Sequence, residues 1–373
     1  MNSDAESAAL HARARAFVAS FVSGQEPPET FDALAVDLAR FQASRISGLA
    51  RLAQARGVKL GEITAAREVP AVPTDAFKHT RVSTFPPEAA RAVFRTSGTT
   101  TALRGTHAYR DTGTYDAAAL AFGRHALFAG LAEPPDVVVL APSPSSPEGM
   151  DSSLGHMMSL FVAELCAPAG VARTHFVAHG SLLADDLCAR LEDLAQRAAR
   201  PVLVLGTSFA FVHFLEACPS FRVALPVGSR LMQTGGFKGK SREVPAVELR
   251  ADLASTLGLS PRAIVSEYGM TELSSQLYEG TLRFPDLDEG VLIEPPWVRV
   301  VPVDAETLIP VSTGQIGLAR IEDLANVDSA VVVQTQDRVA RVEGGFRLFG
   351  RAAGAPPRGC SIAIDELLAS GAP

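Results

Sequence analysis

Apolar residues recur at helical spacing through residues 4–22 and 30–56, with arginines and acids between them. Two Ala/Leu-rich helices are therefore expected, separated by Pro27 and Pro28. After Val69–Pro73 (VPAVP), where prolines forbid regular structure, short apolar runs alternate with amphipathic stretches. That alternation predicts an α/β fold with substantial parallel sheet. Strands are expected at Ala92–Arg95, Asp136–Ala141, Pro201–Leu205, Ser229–Gln233 and Ala263–Ser266, and helices at Thr114–Leu131 and Ser181–Arg200. From Val291 onward the texture changes to short β-rich segments with Gly turns, such as GQIGLARI and ARVEGGFRLFGR, which predicts a small β subdomain. Pro142–Gly149 (PSPSSPEG) reads as a loop, and no internal repeat is evident.

Composition narrows the classes. With 373 residues, 47% hydrophobic and 20% charged, the chain can bury a large core in one large domain or two. A formal net charge of −7 and four scattered lysines argue against nucleic-acid binding. Cys166, Cys188, Cys218 and Cys360 are far apart and form no CxxC pair, so neither a zinc cluster nor a disulfide framework is suggested, and a reduced cytoplasm is the expected home. Runs such as Val137–Ala141 fall far short of the roughly 18 residues of a membrane span, and the N-terminus reads as a helix rather than a signal peptide.

Three stretches carry candidate chemistry. FRTSGTTTALRGTHAYRD (Phe94–Asp111) leaves an apolar run and packs glycine and hydroxyls into a short loop, where backbone N–H groups can approach an anion closely. On its own it could equally be a Ser/Thr-rich surface turn. SEYGMTELSSQ (Ser266–Gln276) follows an apolar strand and sets Tyr268, Gly269, Thr271 and Glu272 within five residues: an aromatic face for adenine, a hydroxyl for phosphate and a carboxylate for magnesium. Its plain alternative is a strand-to-helix turn capped by Thr271. In Gln334–Arg351 (QTQDRVARVEGGFRLFGR), Asp337 can accept from two ribose hydroxyls, or be an ordinary turn acid with Arg351 a solvated charge. GGFKGKS (Gly235–Ser241) misses the Walker spacing by one residue. His107, His156, His175 and His213 sit beside different elements and build no metal site, and no GxSxG elbow is present.

In this order the three stretches resemble the adenylate-forming superfamily of acyl-CoA ligases and adenylation domains. Within it the chain is most similar to LuxE-type acyl-protein synthetases, through VPAVPTDAFK (Val69–Lys78), RTSGTT with RGTHAYRD, GGFK, DLAN (Asp323–Asn326) and RGCS (Arg358–Ser361), over roughly residue 65 to the end. The resemblance implies stacked αβαβα sheets plus a small β subdomain and a reduced C-terminal domain. The expected division is a helical segment at 1–64, a catalytic domain at 65–350 and a short tail at 351–373.

By the same resemblance, Thr96, Ser97, Gly98, Thr99 and Thr100 hold the phosphates of ATP, Gly235 and Gly236 with Tyr268 and Gly269 flank adenine, Thr271 meets the α-phosphate, Glu272 holds Mg2+, and Asp337 with Arg351 takes the ribose. Only 22 residues follow Arg351, none of them lysine, and Ala353 stands where the hinge customarily has an acid or lysine. Lys238 is expected to supply the charge of the superfamily's C-terminal lysine, because of four lysines only Lys238 and Lys240 fall in a segment the resemblance puts at the nucleotide; the plain alternative is that both lie on a solvated turn and an arginine serves instead. Cys360 is expected to accept the acyl group as a thioester, with Arg358 favouring its thiolate; its plain alternative is a small residue packing a closing turn.

The expected function is ATP-dependent activation of a carboxylic acid as acyl-AMP, with transfer to a thiol: the chain's own cysteine, a partner protein, a carrier protein or coenzyme A. A free-standing acid:CoA or acid:carrier-protein ligase shares the first step, and a non-catalytic nucleotide-binding subunit would keep the pocket alone. Pro142–Met158 and Gly206–Phe214 are apolar enough to line an acyl pocket, or to be packing.

Overall fold

The computed structural model describes residues 3–96, 103–170, 172–235, 244–352 and 366–368. Ser97–Thr100, Gly236, Lys238, Lys240 and Cys360, all named above, lie outside the described residues. Three helices come first, α1 (Ser3–Ser23), α2 (Phe31–Ala43) and α3 (Ser47–Ala55), followed by β1 (Val72–Pro73), α4 (Ala76–His79), β2 (Ala92–Arg95), β3 (Thr106–Tyr109) and α5 (Gly113–Ala126). Next come β4 (Asp136–Pro142), α6 (Ser153–Glu164), β5 (His175–Ala178), β6 (Ser181–Leu182), α7 (Ala184–Arg197), β7 (Val202–Thr207), α8 (Ser208–Ala217), β8 (Arg230–Thr234), α9 (Ala246–Leu257), β9 (Ile264–Tyr268), β10 (Leu277–Glu279) and β11 (Val291–Ile293). The chain then runs through β12 (Val298–Val303), β13 (Gly317–Asp323), β14 (Val332–Val342) and β15 (Gly345–Arg351).

Contacts divide the chain into two compact units, one of Met1–Ala121, Met270–Gln276 and Ile293–Pro373, the other of Phe122–Gly269 and Leu277–Leu292. In the first unit β12, β13, β14 and β15 form a consecutive antiparallel meander, with the two residues of β1 parallel to β14. β2 and β3 make a separate hairpin, Arg95 opposite Thr106. In the second unit β4, β5, β7, β8 and β9 are parallel, with the short β6 and β10 added antiparallel to β5 and β9. Parallel strands covered by helices are apolar throughout, and Val137–Leu140 and Val202–Leu205 are all buried. Leu187 and Leu191 of α7, Phe211 and Phe214 of α8, and Leu249 and Leu253 of α9 complete that core.

The α/β expectation holds, with differences that have local causes. The predicted helix over 30–56 is two helices, broken where the Ser44 hydroxyl turns back to the Phe41 carbonyl (2.7 Å) and Ile46 becomes extended. Ser181 and Leu182 leave the predicted helix to pair with β5, and that helix stops at Ala198, whose φ of 46° is left-handed. The predicted helix over Thr114–Leu131 closes at Ala126. No described helix is long and apolar enough to cross a membrane.

The N-terminal helices are stitched into the first unit through a buried polar hub. Asp328 accepts from Ser7 Oγ (2.9 Å) and Thr84 Oγ1, and its Oδ2 lies 3.1 Å from His11 Nε2. Gln42, fully buried, donates to the carbonyls of Asn326 (2.7 Å) and Val327 (3.0 Å) and accepts from Val331 N (2.9 Å). A buried amide is tolerated because these bonds satisfy it on both sides.

Candidate active site

In open α/β sheets ligands gather at the carboxyl ends of the strands. In the second unit the register sets Thr207, Thr234 and Glu267 level with one another at that end of β7, β8 and β9. Ser208, the first residue of α8, donates to the Gly235 carbonyl (3.0 Å). Gly235 leaves β8 at φ 80°, a left-handed conformation that glycine takes without strain.

Glu267 is buried, and its carboxyl is hydrogen-bonded to the Thr234 hydroxyl. Burial pushes it up to about 7, against which the Thr234 bond acts. Its side chain folds back over Gly269, where a Cβ would come within 2.3 Å of Oε1, so a larger residue there would push the carboxyl end aside. Tyr268 itself is only 7% exposed.

The raised acid has a stability consequence. Below the ordinary carboxylate range Glu267 is protonated folded or unfolded. As pH rises towards 7 the unfolded chain releases the proton and the folded chain does not, so stability falls until the folded group also ionises. We expect Glu267→Gln, which mimics the protonated form, to gain on the wild type by on the order of 3 kcal/mol between pH 4.5 and pH 8. Denaturant midpoints of both proteins across that range check this, and a constant difference would refute it.

The first unit receives the chain at Met270 and clamps its backbone residue by residue. The Thr271 carbonyl accepts from His107 Nδ1 (2.8 Å), the Glu272 carbonyl from Asn326 Nδ2 (3.0 Å) and the Leu273 carbonyl from the Tyr109 hydroxyl (3.3 Å). Ser274 N donates to Asp323 Oδ2 (3.0 Å), and Ser274 Oγ donates to Asn326 Oδ1 (2.6 Å). Ser275 Oγ donates to Asp323 Oδ1 (2.8 Å) and accepts from Trp297 Nε1 (3.1 Å). Burial lowers His107 to about 4, which keeps the imidazole neutral, and raises the Asp323 carboxyl to about 6. Thr271 and Glu272 are thus held by main-chain bonds, and both are buried.

Asn326→Ala strips the Glu272 and Ala330 carbonyls of their donor and Ser274 Oγ of its acceptor. Leaving buried polar groups unpaired costs about 1–3 kcal/mol each, so a loss of roughly 3 kcal/mol is expected in denaturant unfolding. An effect within 0.5 kcal/mol, on the order of an ordinary surface change, would refute the clamp.

Thr96 closes the base of the β2–β3 hairpin: its N–H donates to the Gly105 carbonyl and its Oγ1 accepts from Gly105 N, both at 2.9 Å. Arg104 Nε donates to the Thr96 carbonyl (2.7 Å). The hydroxyl expected at the phosphates therefore already has one partner. Asp337 and Arg351 are direct cross-strand partners in β14 and β15, beside an irregularity in the ladder between Asp337 and Val339. Gln336, next to Asp337, donates to Asp75 Oδ2 (2.8 Å), and Asp75 Oδ1 pairs with Lys78 Nζ (2.6 Å). VPAVPTDAFK is therefore a brace along β14, with Lys78 paired to the Asp75 carboxylate that holds Gln336.

No group of three His, Cys, Asp or Glu able to hold a metal occurs among the described residues. Magnesium is commonly bound by one or two carboxylates together with substrate phosphates, and Glu272 is a buried carboxylate in the clamped segment. Sequence reasoning did not assign roles to His107, Tyr109, Asp323, Asn326 and Glu267. The available hint was their occurrence inside RGTHAYRD, DLAN and SEYG.

The fold has solved relatives. A 2-hydroxyisobutyryl-CoA ligase in complex with 2-HIB-AMP and CoA superposes with a TM-score of 0.60 at 14% identity, over 86% of this chain and 68% of that one. The open conformation of the same ligase gives 0.59 at 13% identity, covering 86% and 74%. ATP-bound MatB from Rhodopseudomonas palustris gives 0.47 at 16% identity over 70% of this chain, which spans 48% of MatB. The likeness to the 2-hydroxyisobutyryl-CoA ligase shows a shared fold. No curated protein matches. A family model described as acyl-protein synthetase, LuxE, matches residues 58–369. The match takes in the hairpin, the clamped YGMTE segment, DLAN and the Asp337–Arg351 pair, and the chain belongs to the LuxE acyl-protein synthetase family.

Proposed function

We propose that the chain activates a carboxylic acid with ATP as acyl-AMP and passes the acyl group to a thiol. The observation that carries this is the clamp on Thr271 and Glu272 at the end of a buried parallel strand, in a chain of the acyl-protein synthetase family. A substrate carboxylate oxygen attacks the α-phosphorus and the bond to the β-phosphate oxygen breaks, releasing pyrophosphate. A thiolate then attacks the acyl carbonyl carbon and AMP leaves.

The first step brings two anions together, so its barrier is largely electrostatic and positional. In this reading Thr96, Ser97, Gly98, Thr99 and Thr100 bind the phosphates, Gly235, Gly236, Tyr268 and Gly269 the adenine, and Asp337 with Arg351 the ribose. Thr271 meets the α-phosphate, Lys238 supplies a cation and Glu272 holds Mg2+. When bound, the metal supplies charge neutralisation at the phosphates. The catalytic body is residues 65–350, Cys360 in the tail is the acyl acceptor, and the protein works in the cytoplasm.

Pyrophosphate exchange with a panel of carboxylic acids tests the reading. Acid-dependent incorporation of labelled pyrophosphate into ATP is expected. Nucleotide binding without exchange for any acid would point to a sensor instead. Product analysis with coenzyme A, a carrier protein or neither then separates a free ligase from a self-acylating synthetase.

A further inference from the structure

The linear spacing of the cysteines suggests no pairing, yet the fold brings two of them together in the second unit. Cys188 lies on α7 and Cys218 directly follows α8, and their Sγ atoms are 3.2 Å apart. Both are free thiols, half-buried at the edge of the apolar cluster that contains Leu187, Leu191 and Phe214. A disulfide bond is about 2.05 Å long, so closing this pair requires the sulfurs to approach by roughly one ångström. Small side-chain rotations of Cys188 in α7 and of Cys218 at the C-cap of α8 provide movement of that size. Nothing in the proposed acid activation uses either residue.

We propose that Cys188 and Cys218 form a redox modification site, in which a hydroperoxide converts the two thiols into an intrachain disulfide tying α7 to the end of α8. One thiolate attacks a peroxide oxygen, the O–O bond breaks, and a sulfenic acid forms as the peroxide leaves as water or an alcohol. The second thiol attacks the sulfenic sulfur, the S–O bond breaks and water leaves. In sum, two thiols and one hydrogen peroxide give one disulfide and two waters, with sulfur oxidised and peroxide oxygen reduced.

The setting shapes the chemistry. Burial and the S–H···S bond to Cys218 push the Cys188 thiol up to about 12, so little thiolate exists at neutral pH and oxidation accelerates as pH rises. Once one sulfur is oxidised, its neighbour is already in place, which favours disulfide over further oxidation to sulfinic acid. Cys166 is 8% exposed and serves as an internal control.

The sequence makes the site easy to read. Cleavage after arginine puts Cys188 in Thr174–Arg190 and Cys218 in Ala198–Arg222, because Arg200 is followed by proline, and Leu191–Arg197 separates the two peptides. The full-length protein is treated with hydrogen peroxide, blocked with N-ethylmaleimide and digested without reduction. The expected result is a linked pair of these peptides, two hydrogens lighter than their sum, which dithiothreitol separates and which neither Cys188→Ser nor Cys218→Ser produces. Oxidation is also expected to raise the melting temperature by about 5 °C in the wild type and in neither variant, since the bond closes a chain loop in the unfolded state. Recovery of both peptides as separate maleimide adducts or sulfinic acids, with no linked pair, overturns the proposal. Adenylation is not needed for any of these readouts, so the result stands independently of the proposed function.

Discussion

Glu272→Gln is expected to slow acid-dependent pyrophosphate exchange by about 100-fold or more, with a much smaller change in nucleotide affinity. The substitution keeps the shape of the side chain and removes only the negative charge. Its backbone stays anchored, because the carbonyl of residue 272 is held by Asn326 whatever the side chain is. The adjacent carbonyls of Thr271 and Leu273 keep His107 and Tyr109. A loss of rate in this variant therefore reports on the carboxylate and not on a displaced loop. Metal dependence gives the second reading: the magnesium concentration needed for half-maximal exchange should rise steeply in the variant, since a cation held in part by the Glu272 carboxylate would lose that charge. An undiminished exchange rate, or an unchanged magnesium requirement, would remove Glu272 from the metal. The contrast with Asn326→Ala is informative, because that change attacks the clamp and is expected to show first in stability.

The same clamp explains what could and could not be seen along the chain. Strands β4, β7, β8 and β9 begin within one residue of where the apolar runs predict them, because a parallel strand buried on both faces needs nearly every side chain to be apolar. Positions of the motifs at strand ends follow from that alone. Hydrogen-bond partners are another matter. His107 and Thr271 are 164 residues apart, and Asn326 and Glu272 are 54 apart, so no window of local periodicity contains both members of a pair. RGTHAYRD and DLAN were legible as marks of a family and not as the supports of YGMTE. Glu267 was hidden for a different reason: an acid between apolar strand residues reads as a surface position, and its burial becomes evident only when Thr234 arrives from β8. The break at Ser44 and the short β6 turn on single side-chain or cross-strand bonds, which weigh less in a pattern than the many apolar positions around them.

Cys360→Ser is expected to abolish thioester-linked label from radioactive acid while leaving acid-dependent pyrophosphate exchange near the wild-type rate. The two measurements separate because adenylate formation precedes, and does not require, the thiol. Competing acceptors are constrained by their surroundings. Cys166 is buried and its thiol is pushed up to about 12, so at neutral pH it is almost entirely protonated and shielded from a bulky acyl-AMP. Cys188 is raised to about 12 by burial and by its contact with Cys218, which also occupies the other sulfur. Cys360 lies two residues after Arg358 in the RGCS segment, and an arginine close to a thiol would favour its thiolate. A hydroxyl at position 360 is a far weaker nucleophile at pH 7, and any ester it forms resists neutral hydroxylamine, which cleaves a thioester. The wild type should therefore carry hydroxylamine-labile label approaching one acyl group per chain, the Cys188→Ser/Cys218→Ser double variant should carry the same, and Cys360→Ser none. Labile label persisting in Cys360→Ser would move the acceptor to another thiol. Label absent from all three proteins, with exchange intact and thioester appearing on added coenzyme A or carrier protein, would make the chain a free ligase whose acceptor comes from outside.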